Sequence, residues 1–268
     1  MGIINRETLV KVPEITLLFW IAKLGTTCFG EAFSDYVFFN DYIGRVAAIC
    51  MGGALILVAY GIQLWTRRYV PLVYWFAVTA VAIFGTMSSD FLIKDLNWTL
   101  WQDTLVWLAL QATVFIVWYA TEKTLSVHSI TTLRREIFYW LTIYMTFALG
   151  TAAGDYVANP PLAFGTLNST LFFLGLILIP LVGWKFLRLN SVIAFWLAYT
   201  ITRPLGASLG DYLAVPAPFG DGLQIGTGPI SLYSGIVLAA IISLVAFRYY
   251  RGRNQAPATP ETVPAGSR

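Results

Sequence analysis

The chain has 268 residues, 57% hydrophobic and 16% aromatic, with 12% charged and a mean hydropathy of +0.69. That composition lies outside the range of soluble globular domains and puts the chain in a bilayer. The net charge of +3 says little about partners, and no nucleic acid is expected among them.

Apolar runs long enough to cross about 30 Å of hydrocarbon as helices fall near 14–36, 44–65, 70–91, 101–121, 136–156, 169–187, 191–212 and 229–249. The first carries Lys23, Glu31 and Asp35 and is followed by no small-residue cleavage site, so it is expected to remain as a helix. Cys28 and Cys50 stand in apolar helical sequence as small hydrophobes, with no disulfide expected between them. The lone histidine, His128, falls in the loop before the fifth run. After Arg253 the sequence becomes NQAPATPETVPAGSR, which cannot bury a core. The expected organisation is a single transmembrane domain over 1–253 and a disordered tail over 254–268.

With eight spans both termini share a side. Thirteen of the seventeen basic residues, among them Arg6, Lys11, Arg134 and Arg268, lie on that side, so it is predicted to be cytoplasmic. Nine of the fourteen acidic residues lie in the other half: Glu31, Asp35, Asp41, Asp90, Asp95, Asp103, Asp155, Asp211 and Asp221. Such a mouth concentrates cations and repels anions. Depletion of Lys and Arg by the positive-inside rule explains the missing positive charge there but not the surplus of negative charge.

Four segments align: FWIAKLGTTCFGEAFSDY from Phe19, YWFAVTAVAIFGTMSSDF from Tyr74, YWLTIYMTFALGTAAGDY from Tyr139 and FWLAYTITRPLGASLGDY from Phe195. Ten residues after each Trp comes Gly30, Gly85, Gly150 or Gly206, and fifteen after it Asp35, Asp90, Asp155 or Asp211. The repeats run about 14–68, 69–124, 134–189 and 190–250. Each is a helix pair, so successive units enter the membrane from the same side. Closed about one axis, as a pseudo-fourfold all-α bundle of eight transmembrane helices, they bring the four aspartates to one depth.

These segments, with the KVPEITLLFW opening from Lys11 and GDYLAVPAPFGDGLQIGTG from Gly210, resemble a bacterial membrane-protein family of four tandem two-helix repeats of unknown function, repeat of unknown function 347. The resemblance covers roughly residues 11–250 and implies eight helices but no activity. The family often has Lys-Pro shortly after the aspartate. Here the second repeat has Lys94 without Pro, and the third and fourth have Asn159-Pro160 and Val215-Pro216.

The tryptophans are expected at the cytoplasmic headgroup boundary. The small pairs Gly30 and Ser34, Gly85 and Ser89, Gly150 and Gly154, Gly206 and Gly210 are expected to let helices approach closely. Two readings stand for the aspartates. Each caps its own turn by accepting amide hydrogen bonds, or together they hold a cation, since neighbouring carboxylates do not all stay charged alone. An oxygen-rich site without imidazole or thiolate suits Mn²⁺, Mg²⁺ or Ca²⁺. Lys23, Thr27 and Glu31 share a face of the first helix, and Arg203 occupies the fourth-repeat position of Thr27, so a closed ring lets Arg203 meet Glu31. Lys23 and Arg203 are then gating or coupling residues, or members of a packing ion pair, and Glu31→Gln is expected to stop transport in a folded protein. No Ser-His, His-Glu-x-x-His or paired-cysteine constellation points to an enzyme. The expectation is a cation transporter or exporter of the bacterial inner membrane with no tightly bound cofactor, a small cation and lipid as partners, and homo-oligomers left open. A passive channel and a non-transporting scaffold are the alternatives.

Overall fold

A computed structural model describes residues 10–215 and 221–255. Arg6, Pro216, Arg268 and the expected tail lie outside them, except Asn254 and Gln255, which continue the last helix. The helices are α1 (Leu17–Phe38), α2 (Arg45–Trp65), α3 (Pro71–Lys94), α4 (Leu100–Glu122), α5 (Leu133–Ala158), α6 (Gly165–Leu176), α7 (Leu178–Phe186), α8 (Ser191–Ala214) and α9 (Thr227–Gln255). Their starts carry ordinary capping chemistry. Thr16 accepts from the Phe19 amide, Thr132 from the Arg135 amide, and Thr99 with Gln102 forms a capping box. The sixth expected run is interrupted at Ile177, because Pro180 has no N–H for the Leu176 carbonyl and its ring crowds that oxygen.

Among the described residues, seven helices are long and apolar enough to cross a membrane: α2, α3, α4, α5, α6 with α7 as one rod, α8 and α9. They mark a multi-pass membrane protein. α1 has the length, at 22 residues, but its charges lower its apolarity below that of the others.

Each repeat contributes an inner and an outer helix. The inner helices close a ring: α1 packs on α3, α3 on α5, α5 on α8, and α8 back on α1. Outer helices pack chiefly on the inner helix of the following unit rather than their own. α2 lies against α3, α4 against α5, α6 and α7 against α8, and α9 against α1.

The repeated glycines make the ring possible. A Cβ on Gly30 would overlap Ala82, one on Gly85 would lie 2.8 Å from the Phe147 Cβ, one on Gly150 would overlap the Arg203 stem, and one on Gly206 would overlap Thr27. All four partners stand seven residues after the tryptophan of the next unit. The small residues therefore serve close contacts within this chain, in one register repeated around the ring.

Three of the four repeat tryptophans pack against protein, and Trp20 is half-buried. Trp75, Trp140 and Trp196 are buried in a cluster with Phe19, Tyr74, Tyr139, Phe195 and Tyr199 near the end of the ring where α1 begins. The Trp196 indole donates to the Leu125 carbonyl at 2.9 Å. Their apolar bulk fills the space between inner and outer helices. Cys28 and Cys50 are both free thiols.

Candidate functional site

Inside the ring, side chains from equivalent positions form layers one helical turn apart. Nearest the tryptophans are Phe19, Tyr74, Tyr139 and Phe195, all buried, with the Tyr74 and Tyr139 hydroxyls 2.6 Å apart. The next layer contains Lys23 and Tyr199, followed by Thr27, Phe147 and Arg203, then Glu31, Thr86 and Thr151, and finally the four aspartates.

The structure brings Arg203 to Glu31. Arg203 Nη2 donates to Glu31 Oε2 at 2.7 Å and to Thr151 Oγ1 at 2.8 Å, and it also bonds Thr86 Oγ1. The two threonine hydroxyls lie 3.0 and 3.2 Å from the same Glu31 oxygen. Exposure is 0% at Arg203 and 3% at Glu31, so the cluster is sealed from both ends. Thr86 and Thr151 were not among the sequence candidates, yet each stands eleven residues after its tryptophan, as Glu31 does. That shared register was the available signal.

Lys23 is also wholly buried but does not pair with Glu31. Its Nζ has no hydrogen-bond partner among the described residues and lies 4.2 Å from the ring centres of both Phe147 and Tyr199. Arg203 shares the Phe147 ring, with its Cζ 5.2 Å from the centre. Phe147 thus contacts both basic side chains, and its ring face offsets part of the desolvation of the Arg203 guanidinium.

Asp35, Asp90, Asp155 and Asp211 lie at the opposite end of the ring, within electrostatic reach of one another and of Glu31. Asp90 is buried and the other three are half-buried. Among the described residues the turn-capping reading does not hold. The helix-end amides of Phe39, Asn159 and Val215 bond the backbone carbonyls of Asp35, Asp155 and Asp211, and that of Asp95 bonds Phe91. No aspartate of the four accepts a side-chain hydrogen bond among the described residues. No three His, Cys, Asp or Glu side chains there come close enough to share a metal ion. The ring offers separate carboxylates, suited to a cation that keeps much of its water.

Other acidic residues from the expected mouth serve locally. Asp103 is buried and accepts from Ser89 Oγ at 2.5 Å, and Asp95 faces Arg45 at 3.4 Å. Asp221 accepts from the Thr166 amide at 2.9 Å and its hydroxyl at 2.5 Å, which ties the loop before α9 to the start of α6. These bonds hold the Asp221 carboxyl below its usual pKa. A depressed folded pKa gives stabilisation that is complete above the unfolded value and is lost as pH falls through the folded one. Protection of the Thr166 amide from hydrogen exchange, corrected for intrinsic rates, is therefore expected to persist down to about pH 4 and to decline below it. D221A should lack it throughout, and wild-type protection that ignores pH would refute the tether.

The family model for the Repeat of Unknown Function (DUF347) matches four tandem stretches, 18–69, 73–124, 138–190 and 194–253. The chain belongs to this family. Each DUF347 repeat thus begins at an inner helix, and the boundaries agree with the helix pairs of the ring. No curated protein and no solved structure matches the chain.

Proposed function

We propose that the chain is a bacterial inner-membrane transporter or exporter of a hard cation, with Mn²⁺, Mg²⁺ and Ca²⁺ as the candidates. It crosses the bilayer eight times in a pseudo-fourfold arrangement, with both termini cytoplasmic. α1 is the eighth span, its charges facing the ring rather than lipid. One observation carries the reading: four carboxylates that accept no side-chain hydrogen bond among the described residues lie at one end of a closed helix ring, beyond the buried Arg203 and Glu31. A structural role would leave them capped or paired. Carboxylate rings at the mouth of an axis draw cations inward.

The layers that fill the axis weigh against a passive pore and favour a carrier whose inner helices move. The same filling favours the scaffold alternative, in which the ion pair only locks the ring. Flux into liposomes separates these. Uptake of Mn²⁺, Mg²⁺ or Ca²⁺ by the wild type is expected to fall to background when Asp35, Asp90, Asp155 and Asp211 are all changed to Asn in a protein that remains folded. No flux of any of the three, with or without a pH gradient, would discard transport and leave the scaffold.

A further inference from the structure

The cluster around Arg203 has the form of an occupied cation site. Three oxygens from three units, Glu31 Oε2, Thr86 Oγ1 and Thr151 Oγ1, converge on a single nitrogen, Arg203 Nη2. The fourth unit places Ala207 at the equivalent position. A methyl there adds no oxygen, and the charge comes from the same helix one turn earlier. A carboxylate with two hydroxyls is a hard donor set for an alkali or alkaline-earth-type cation.

The guanidinium is poorly matched to this cage. A buried arginine held for stability is normally bidentate and satisfied at all its nitrogens. Here Arg203 Nε and Nη1 have no hydrogen-bond partner among the described residues although the side chain is 0% exposed. The next residue, Pro204, lies inside α8 and leaves the Thr200 carbonyl without its intrahelical donor. The helix is thus weakened beside the one side chain that fills the cage.

We propose that Glu31, Thr86 and Thr151 form an axial binding site for a hard metal cation, and that the Arg203 guanidinium is a tethered substitute for that cation. A cation arriving from the aspartate end displaces Arg203, and its departure lets Arg203 return, so Glu31 is never left bare. The proposal rests on the transport reading for the origin of the occupant, but the cage itself is testable without transport.

The probe is Mn²⁺, whose binding to the purified full-length protein is read by electron paramagnetic resonance. R203Q frees the cage and is expected to tighten Mn²⁺ binding by about tenfold or more over the wild type. The gain should vanish in R203Q/T86V/T151V, which leaves all four aspartates in place. Thermal stability of R203Q should rise with added Mn²⁺ more than that of the wild type. If R203Q folds only when prepared with Mn²⁺, the metal is replacing the guanidinium and the site stands. If it does not fold even then, R203K decides, because a shorter tether fills the cage less well and should bind Mn²⁺ more tightly than the wild type does. Equal Mn²⁺ affinity in the wild type and R203Q, or in the wild type and R203K where that variant decides, overturns the site. So does a gain that survives the threonine replacements. A site confirmed without any flux would fail the transport reading alone, and flux with no change in binding would fail only the site.

Discussion

Glu31→Gln is expected to destabilise the protein by about 3–5 kcal/mol, the range for removing one partner of a buried ion pair. Glu31 is the acceptor for the Arg203 guanidinium and for both threonine hydroxyls. Its loss leaves Arg203 as a buried cation without a counter-charge in contact. This revises the expectation that the variant keeps its fold intact. E31Q/R203M should regain most of the loss, since replacing both members of such a pair by neutral groups is often close to neutral. Reversible unfolding in a mixed lipid and detergent system measures both. A double variant no more stable than E31Q would mean that Arg203 is held by something other than Glu31.

The second large effect concerns ring closure. Gly206→Leu is expected to prevent α8 from seating on α1, because even a Cβ there overlaps the Thr27 side chain and comes within 3.3 Å of the Cys28 amide nitrogen. Thr27 cannot swing aside freely, since its hydroxyl donates to the Leu24 carbonyl at 2.7 Å. Gly206→Ala should cost about 1–3 kcal/mol through overpacking, and leucine considerably more. Gly61→Ala is the control: nothing lies within 4 Å of its added methyl, so it should be neutral or slightly stabilising. Thermal unfolding of the three variants tests the contrast, and a tolerated leucine at 206 would refute closure through this contact.

Much of this arrangement was legible in the repeats. The spacing from tryptophan to glycine to aspartate gave the four units and the inner helices, and it made units one and four neighbours, which brought Arg203 within reach of Glu31. What stayed hidden depended on contacts between units. Thr86 and Thr151 are ordinary in a helix until three units face one oxygen. The preference of indoles for the interface says nothing of what covers them, and the outer helices that bury Trp75, Trp140 and Trp196 are not visible in any one repeat. Lys23 lies on the same helix face as Glu31, but two turns of rise separate their Cα atoms by about 12 Å, and the aromatic rings of α5 and α8 proved the nearer partners. The break at Ile177 was legible in principle from Pro180 but was absorbed into one long apolar run.

The seating of each outer helix on the following unit also bears on how the chain is made. α9 covers α1, and Glu31 meets Arg203 172 residues later in the sequence. At ribosomal speeds of about 5–20 residues per second, α1 waits on the order of ten seconds or more for its partners. During that interval Glu31 lacks the guanidinium that pairs with it in the closed ring. Biogenesis is then a matter of custody: a nascent chain truncated before α8 should be held by the insertion machinery or degraded, whereas a circular permutant opened between repeats should mature, because it keeps every neighbour.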